Sequence, residues 1–302
     1  MAISRSQLVK ELEPGLNALF GLEYKRYENQ HAEIYATESS DRAFEEEVML
    51  SGFANAQVKG EGSGVSFDEA QETFTARYTH ETVALAFAIT EEAIEDNLYD
   101  RLASRYTKAL ARSMSNAKQV KAAAPLNNGL PGGSFNSGDG VTLFNTSHTT
   151  IAGSFSNTLA TAADLNETSL EQSLIDIGQM SDERGLRIAA RGVKMIIPSE
   201  LQFTAERLMK SQGRTGTADN DINSIVSMGM IPQGYRVNNY LTDTDAFYII
   251  TDVPNGMKMF TRAPLTTAME GYFDTGNVRY KARERYSFGV SDPRGIFGVE
   301  GA

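Results

Sequence analysis

The segment Thr90 to Ala123, TEEAIEDNLYDRLASRYTKALARSMSNAKQVKAA, contains neither proline nor glycine. Apolar residues recur along it at Ile94, Leu98, Leu102, Tyr106, Leu110, Met114, Ala117 and Val120, in steps of four or three that match the α-helical period. The pattern predicts one long helix. Thr90 stands as its N-cap, with Glu91, Glu92, Glu95 and Asp96 at the positive end of the macrodipole. Arg112, Lys118 and Lys121 lie toward the negative end, and Pro125 closes it. At about 1.5 Å per residue the rod spans roughly 50 Å, more than a compact domain of this size needs. Such a rod serves either as the core helix of a helical domain or as the support of something extended.

The preceding residues, 48–90, begin and end with strand-like runs around KGEGSG. Thr73, Thr75, Arg77, Thr79 and Glu81 alternate with Phe74, Ala76, Tyr78 and His80, and the period-two pattern continues into Val83, Leu85, Phe87 and Ile89. This predicts a long two-stranded excursion with a flexible tip at Gly60, Gly62 and Gly64. A hairpin of that length cannot bury both faces within its own subunit and must fray or lie over a partner. GEGSG is no phosphate cradle, because no helix with a GK[ST] pair or a G-x-G-x-x-G pattern follows and Asp68, Glu69 and Glu72 are close by. Residues 1–45 break at Pro14-Gly15 and at Gly21 and form no core alone. They are expected to be an arm, disordered or held by packing on something else, whose removal leaves a folded subunit.

Composition narrows the function classes. The 302 residues, 41% hydrophobic, can bury a substantial core as one large domain or two smaller ones. No run approaches the roughly 18 apolar residues that cross a bilayer, and the polar start lacks the apolar core of a secretory signal, so no membrane role and a cytoplasmic site of synthesis are expected. Without cysteine there is no disulfide framework and no thiolate metal site or nucleophile. The net charge of −11 is uneven: residues 1–100 hold 7 Lys and Arg against 20 Asp and Glu, and residues 101–302 hold 21 against 19. An acidic first third repels phosphate backbones and disfavours gripping nucleic acid as the main task.

Beyond the long helix, 125–150 reads as a turn-rich loop with a short strand around Val141 to Phe144. His148 beside Ser147 and Thr149 lacks a partner acid in the motif, so a hydrolase based on it is the weaker reading and a hydrogen-bonded loop histidine the stronger. Residues 164–190 predict a second amphipathic helix carrying Leu170, Leu174, Ile177 and Met180 on one face and stopped at Gly185. A buried strand at Val193 to Ile197 and a helix N-capped by Ser199 follow. Strands are then expected at Tyr235 to Asn238, Ala246 to Thr251 and Met257 to Thr261. Asp243, Asp245 and Asp252 sit in separate turns, where Asx-turn duty is favoured over a divalent site. The last strand, 276–290, places Val278, Tyr280, Ala282, Glu284, Tyr286, Phe288 and Val290 on one face and Arg279, Lys281, Arg283, Arg285 and Ser287 on the other. Four cations in a row require opposing acids or phosphates, and acids of a neighbouring copy are favoured over nucleic acid. Glu284, the acid on the apolar face, needs a partner if buried.

No catalytic set, cofactor fingerprint or metal spacing assembles. The segments YTHETVALAFAITEEAIEDNLYDRLA, GDGVTLFNTSH, GTADNDIN, YLTDTDAFYIITDVPNGMK and FDTGNVRYKARERYSFGVSDPRGIFG together resemble the major capsid proteins of tailed bacteriophages, with the Hong Kong 97-type fold, and within them the Mu-like major head subunit group. The resemblance covers most of 46–298. It implies an α+β fold divided into an N-terminal arm (1–45), an E-loop hairpin (46–89), a peripheral domain with the spine helix (90–149 and 266–302) and an axial domain (150–265). It further implies pentamers and hexamers closing into an icosahedral shell around double-stranded DNA, located in the virion. A portal, a scaffolding protein and a decoration protein are the implied partners. Only about 45 residues precede the E-loop, which implies a separate scaffold or a short processed leader. Contact between subunits is expected at Lys59, Glu61, Asp68 and Glu69 on the hairpin and at Arg279, Lys281, Arg283 and Arg285. A cellular nanocompartment shell of encapsulin type is the alternative on the same architecture.

Overall fold

The computed structural model describes residues 5–90, 92, 99–214, 221–271 and 276–302. Its frame is a long helix, α2 (Tyr99–Asn127), laid against a four-stranded sheet. That sheet has the order β1 (Ala36–Ser39), β10 (Met257–Gly271), β11 (Val278–Val290), β4 (Glu81–Ile89). Its strands are antiparallel except for the β1/β10 pair. A second sheet, in the order β12 (Ile296–Val299), β9 (Phe247–Thr251), β7 (Gly192–Ile197), β8 (Tyr235–Val237), carries the helices α3 (Glu167–Gln179), α4 (Gln202–Lys210) and α5 (Ser224–Met228). The remaining strands form two ribbons, β2 (Phe44–Leu50) with β3 (Glu72–Thr79) and β5 (His148–Thr150) with β6 (Gly153–Phe155).

The expected apolar stripe of α2 is rotated in the structure. Leu110 and Met114 are buried as predicted, but Tyr106 and Val120 are half exposed, while Ala103, Thr107, Ala111, Ser115, Gln119, Ala122 and Ala123 complete the covered face. These small and polar residues let the sheet and the arm approach the helix closely, and this contact outweighs the apolar period. Residues 91 and 93–98, which carry the expected first turns, lie outside the described residues. At the other end the helix runs through Pro125 to Asn127 rather than stopping at it. Leu126 is fully buried there, and the phenol of Tyr35 donates to the Ala122 carbonyl at 2.6 Å.

The arm is neither broken nor free. A single helix, α1 (Arg5–Tyr24), continues through Pro14 and Gly21. Its Leu16 and Phe20 pack into a core with Leu110, Met114, Tyr280 and Ala282. Asn17 Oδ1 accepts hydrogen bonds from Thr267 (2.7 Å) and Tyr280 (2.8 Å). A proline inside a helix costs on the order of 3 kcal/mol, and tertiary packing of this kind offsets it. The arm then contributes a short 3-10 turn (Gln30–Glu33) and β1, and Lys194 of β7 bonds Glu33 at 2.7 Å.

The continuous strand expected over 73–89 is two strands in different sheets. The break is at His80, 5% exposed, whose ring nitrogens stand 2.9 Å from Ser287 Oγ and 3.0 Å from Ser40 Oγ. β3 pairs with β2, and β4 pairs with β11. In the second sheet α3 is shorter than expected. It is capped by Asn166, whose side chain accepts from Ser169 N while Ser169 Oγ accepts from Asn166 N, and it ends at Met180. Gly185, with φ +81°, serves the following turn instead. Ser199 opens a 3-10 turn without capping it. The predicted face of α3, Leu170, Leu174, Ile177 and Met180, is buried against Met195, Ile197, Phe247, Ile249, Phe297 and Val299.

Deleting residues 1–40 removes the buried Leu16, Phe20, Ile34 and Tyr35, each worth roughly 1.5–3 kcal/mol. Thermal unfolding of the truncated chain is expected to lose most of its cooperative transition; an unchanged midpoint would show that α1 and β1 contribute nothing to the subunit core.

Candidate assembly surfaces

Three groups of side chains decide what the molecule offers its surroundings: a projecting loop, a cationic sheet face, and the buried polar networks that hold both in place.

The loop is residues 52–70. Its neck is closed by Ser51 N donating to the Gln71 carbonyl (2.8 Å), Gln71 N donating to Ser51 Oγ (2.9 Å) and Ala54 N donating to Asp68 Oδ2 (2.7 Å). Beyond the neck there is no helix or strand, and the turn Gly60–Ser63 forms the tip. Val58 is 99% and Phe67 98% exposed, with Phe53 and Val65 well over half exposed. Below the neck, the root is fixed. Glu47 takes a hydrogen bond from Lys258 Nζ (2.5 Å) and contacts Ser291, which in turn is 2.5 Å from the Tyr78 hydroxyl. Burial alone would push the Lys258 ammonium down, but Glu47 and Glu38 hold it above its usual range.

The cationic face belongs to β11. Arg279, Lys281 and Arg283 are exposed and Arg285 is partly so, while Tyr280, Ala282, Glu284 and Tyr286 on the reverse face are buried. At about 6.7 Å per alternate residue the four cations span roughly 20 Å. The register sets them between two lanes of small residues: Thr82, Ala84, Ala86 and Ala88 on β4, and Thr266 and Ala268 on β10, with Glu270 opposite Arg279. Arg285 Nε is buried without a hydrogen-bond partner. Burial, and then Arg285 and Arg262 against the opposing pull of Glu45, lower the pKa of His80.

Of the residues expected at contacts between subunits, Lys59, Glu61 and Glu69 are exposed on the loop. Asp68 is engaged within its own chain: the backbone N–H groups of Ala54 and Glu69 hold its carboxyl below the usual range, with Arg184 4.0 Å away. Arg184 also donates to the Glu69 carbonyl, tying the loop to the 181–187 turn.

The partner that Glu284 required is Lys118, at 3.2 Å, joined by the Tyr24 hydroxyl at 3.4 Å. Burial raises the Glu284 carboxyl above its usual range against the pull of Lys118. His148 is fully buried. Its Nδ1 lies 2.6 Å from Asp139 Oδ2, and its Nε2 faces the Leu143 carbonyl (3.2 Å) and Asn157 Oδ1 (3.0 Å). Asn157 Oδ1 already accepts from Asn145 N, so the ring meets acceptors on both sides and has no route to a substrate. Sequence spacing did not reveal Asp139 as its partner, although the acid lies only nine residues away. Equally unforeseen is Arg294, 3% exposed, bonded to Glu183 (2.6 Å), Asp292 (3.3 Å) and the Ser181 carbonyl (2.8 Å) and stacked over Phe155. Asp243 accepts from the backbone of Asp245 and Ala246, as an Asx turn does, whereas Asp252 accepts from the sequence-remote Arg191 N and so joins two segments. Among the described residues no group of three or more His, Asp or Glu is placed to hold a metal ion.

A family model described as phage capsid protein matches residues 72–299. No curated protein matches by sequence. Among solved structures, the virus-like particle from Pyrococcus furiosus is similar at 10% identity, covering 95% of this chain and 98% of that chain, with a TM-score of 0.54. The capsid of Myoviridae phage XM1 is similar at 11% identity, covering 89% of each chain, with a TM-score of 0.55. A Mycobacterium phage Ogopogo chain is similar at 13% identity, covering 90% of this chain and 91% of that one, with a TM-score of 0.51. What these share with the chain is the fold, α+β of the Hong Kong 97 type expected from the sequence.

His148→Ala removes the donor on Asp139 Oδ2 and leaves the carboxylate only Ser137 and the Val141 N–H, and is expected to destabilise the subunit by about 1–3 kcal/mol in denaturant unfolding. Burial pushes the Asp139 carboxyl up, but hydrogen bonds from His148 and Ser137 and the pull of His148 bring it below its usual value. Its contribution is therefore present above the unfolded carboxylate value of about 3.9 and lost as the pH falls through the lower folded value. Equal acid sensitivity in the His148→Ala variant would contradict this assignment.

Proposed function

The chain belongs to the phage capsid protein family, and from that premise we propose that it is the major head subunit of a tailed bacteriophage, of the Mu-like group, which closes on copies of itself as pentamers and hexamers. The shell encloses double-stranded DNA with little specific contact, is the protein's location in the virion, and is built in the host cytoplasm with a scaffolding protein, a portal and possible decoration subunits as partners. The role is structural and not enzymatic. The division proposed is an arm at 1–45, an E-loop at 46–89, a peripheral domain at 90–149 and 266–302 and an axial domain at 150–265, with β12 reaching into the second sheet.

The observation that carries this reading is the loop 52–70: a root held by the ion pair of the buried Lys258 with Glu47 supports a tip whose apolar side chains, Val58 and Phe67 above all, are almost wholly exposed. A monomer gains nothing from holding such a segment out in water, and burial of those residues by a neighbour returns roughly 1.5–3 kcal/mol for each. The charge distribution supports the same arrangement. Glu61 and Glu69 on the projecting segment complement Arg279, Lys281, Arg283 and Arg285 of a second copy. A single exposed ion pair contributes no more than about 1 kcal/mol, so the row acts through number and through repetition around a closed shell.

Reversing Arg283 and Arg285 to Glu is expected to leave a soluble, folded subunit and to abolish closed particles in negative-stain electron microscopy. Nucleic acid rather than enzyme cargo should accompany particles purified from an infected host. Normal particle yield from the reversed variant would remove the charge contact, and a strictly monomeric parent chain would remove the shell reading.

A further inference from the structure

β4 is an outer strand of its sheet, and its free edge is unguarded. Its nine residues pair with β11 in unbroken register from Ile89/Val278 to Glu81/Tyr286, and among the described residues no other backbone bonds to it. Every second N–H and C=O therefore points outward. Exposed edges are ordinarily blunted by proline, lysine, a bulge or short length. β4 has none of these, and its single charge, Glu81, is taken by Lys121 of α2. The opposite edge strand, β1, is only four residues long and carries Glu38, which pairs with Lys258.

The surroundings of this edge specify what can join it. Helix α2 runs antiparallel beneath β4, since Phe87 meets Tyr106 (ring centroids 5.8 Å apart) and Glu81 meets Lys121. On that lower side Leu85 and Tyr106 are each nearly half exposed and, with Phe87 against Tyr106, form an apolar band beside the edge. On the upper side lies the lane of Thr82, Ala84, Ala86 and Ala88, with the β11 cations one strand spacing, about 4.8 Å, farther in. An added strand must present apolar residues downward at alternate positions and small or acidic residues upward.

The loop 52–70 contains such a segment. Val65 and Phe67, 68% and 98% exposed, alternate with Ser66 and Asp68, and residues 64–68 make no backbone–backbone hydrogen bonds. We propose that β4 of one copy receives the Gly64–Asp68 limb of a second copy as a fifth strand, with Val65 and Phe67 on the Leu85 and Tyr106 band and Ser66 over the alanine lane. The strand addition rests on the shell reading above and assigns the loop one seat within it. Main-chain bonds supply the attachment, and the apolar band fixes which face of the limb turns inward.

Because the chain has no cysteine, disulfide trapping tests this without background. Ser66→Cys is combined in turn with Thr82→Cys, Ala84→Cys, Ala86→Cys and Ala88→Cys, all at exposed upper-face positions, and assembled particles are oxidised. The expected result is that one or two of these pairs shift the monomer band on a non-reducing gel into a ladder of covalent multimers, while the single variants stay monomeric. Particles that form normally yet give no ladder with any pair, or give only an internal cross-link within one chain, would overturn the strand addition and leave the shell reading standing. Failure of the parent chain to form particles would remove the shell reading and the strand addition with it.

Discussion

Everything in this subunit depends on how tightly α2 lies against the sheet of β10, β11 and β4, and the Lys118–Glu284 pair records that closeness. An ion pair with Glu284 only 2% exposed survives because the helix, the strand and Tyr24 of the arm converge on it. Removing one member of such a pair costs far more than the pair itself contributes, so it fixes the relative placement of three elements more than it adds stability. Sealing one face of the sheet in this way leaves the other face to display its cations, and leaves β4 as an edge.

The same division between fixed and unfinished parts recurs at the loop. Glu47, Lys258, Ser291 and Tyr78 hold its root, and the neck bonds of Ser51, Gln71 and Asp68 hold its base. Past the neck the chain makes almost no contacts of its own. A stiff root with an apolar, acidic tip positions a segment for a surface the subunit does not itself supply. The Arg294 network plays a matching part farther in, joining the 181–187 turn to β12 next to the root of the loop.

Much of this was legible in the residues. The alternation in β11 predicted both its cationic face and the buried acid that needed a partner, and the apolar face of α3 was correct at each of its four positions. What failed did so where distant contacts decide. Pro14 and Pro125 sit inside helices because Phe20 and Leu126 are buried on other elements. The stripe of α2 turned because Thr107, Ser115 and Gln119 line a close contact that hydrophobic periodicity does not register. The 73–89 pattern gave no sign of the sheet change at His80, since its partners Ser40 and Ser287 are remote in sequence. The projecting loop was expected from its glycines, but its tether through Arg184 was not.

Hydrogen–deuterium exchange over residues 53–67, compared between assembled particles and dissociated subunits, addresses the central claim most directly: the subunit is complete in its cores and incomplete at its loop. Strong protection of this segment on assembly, with little change in the interior of α2 and β9, is the expected result. A loop that exchanges equally fast in both states would contradict the account.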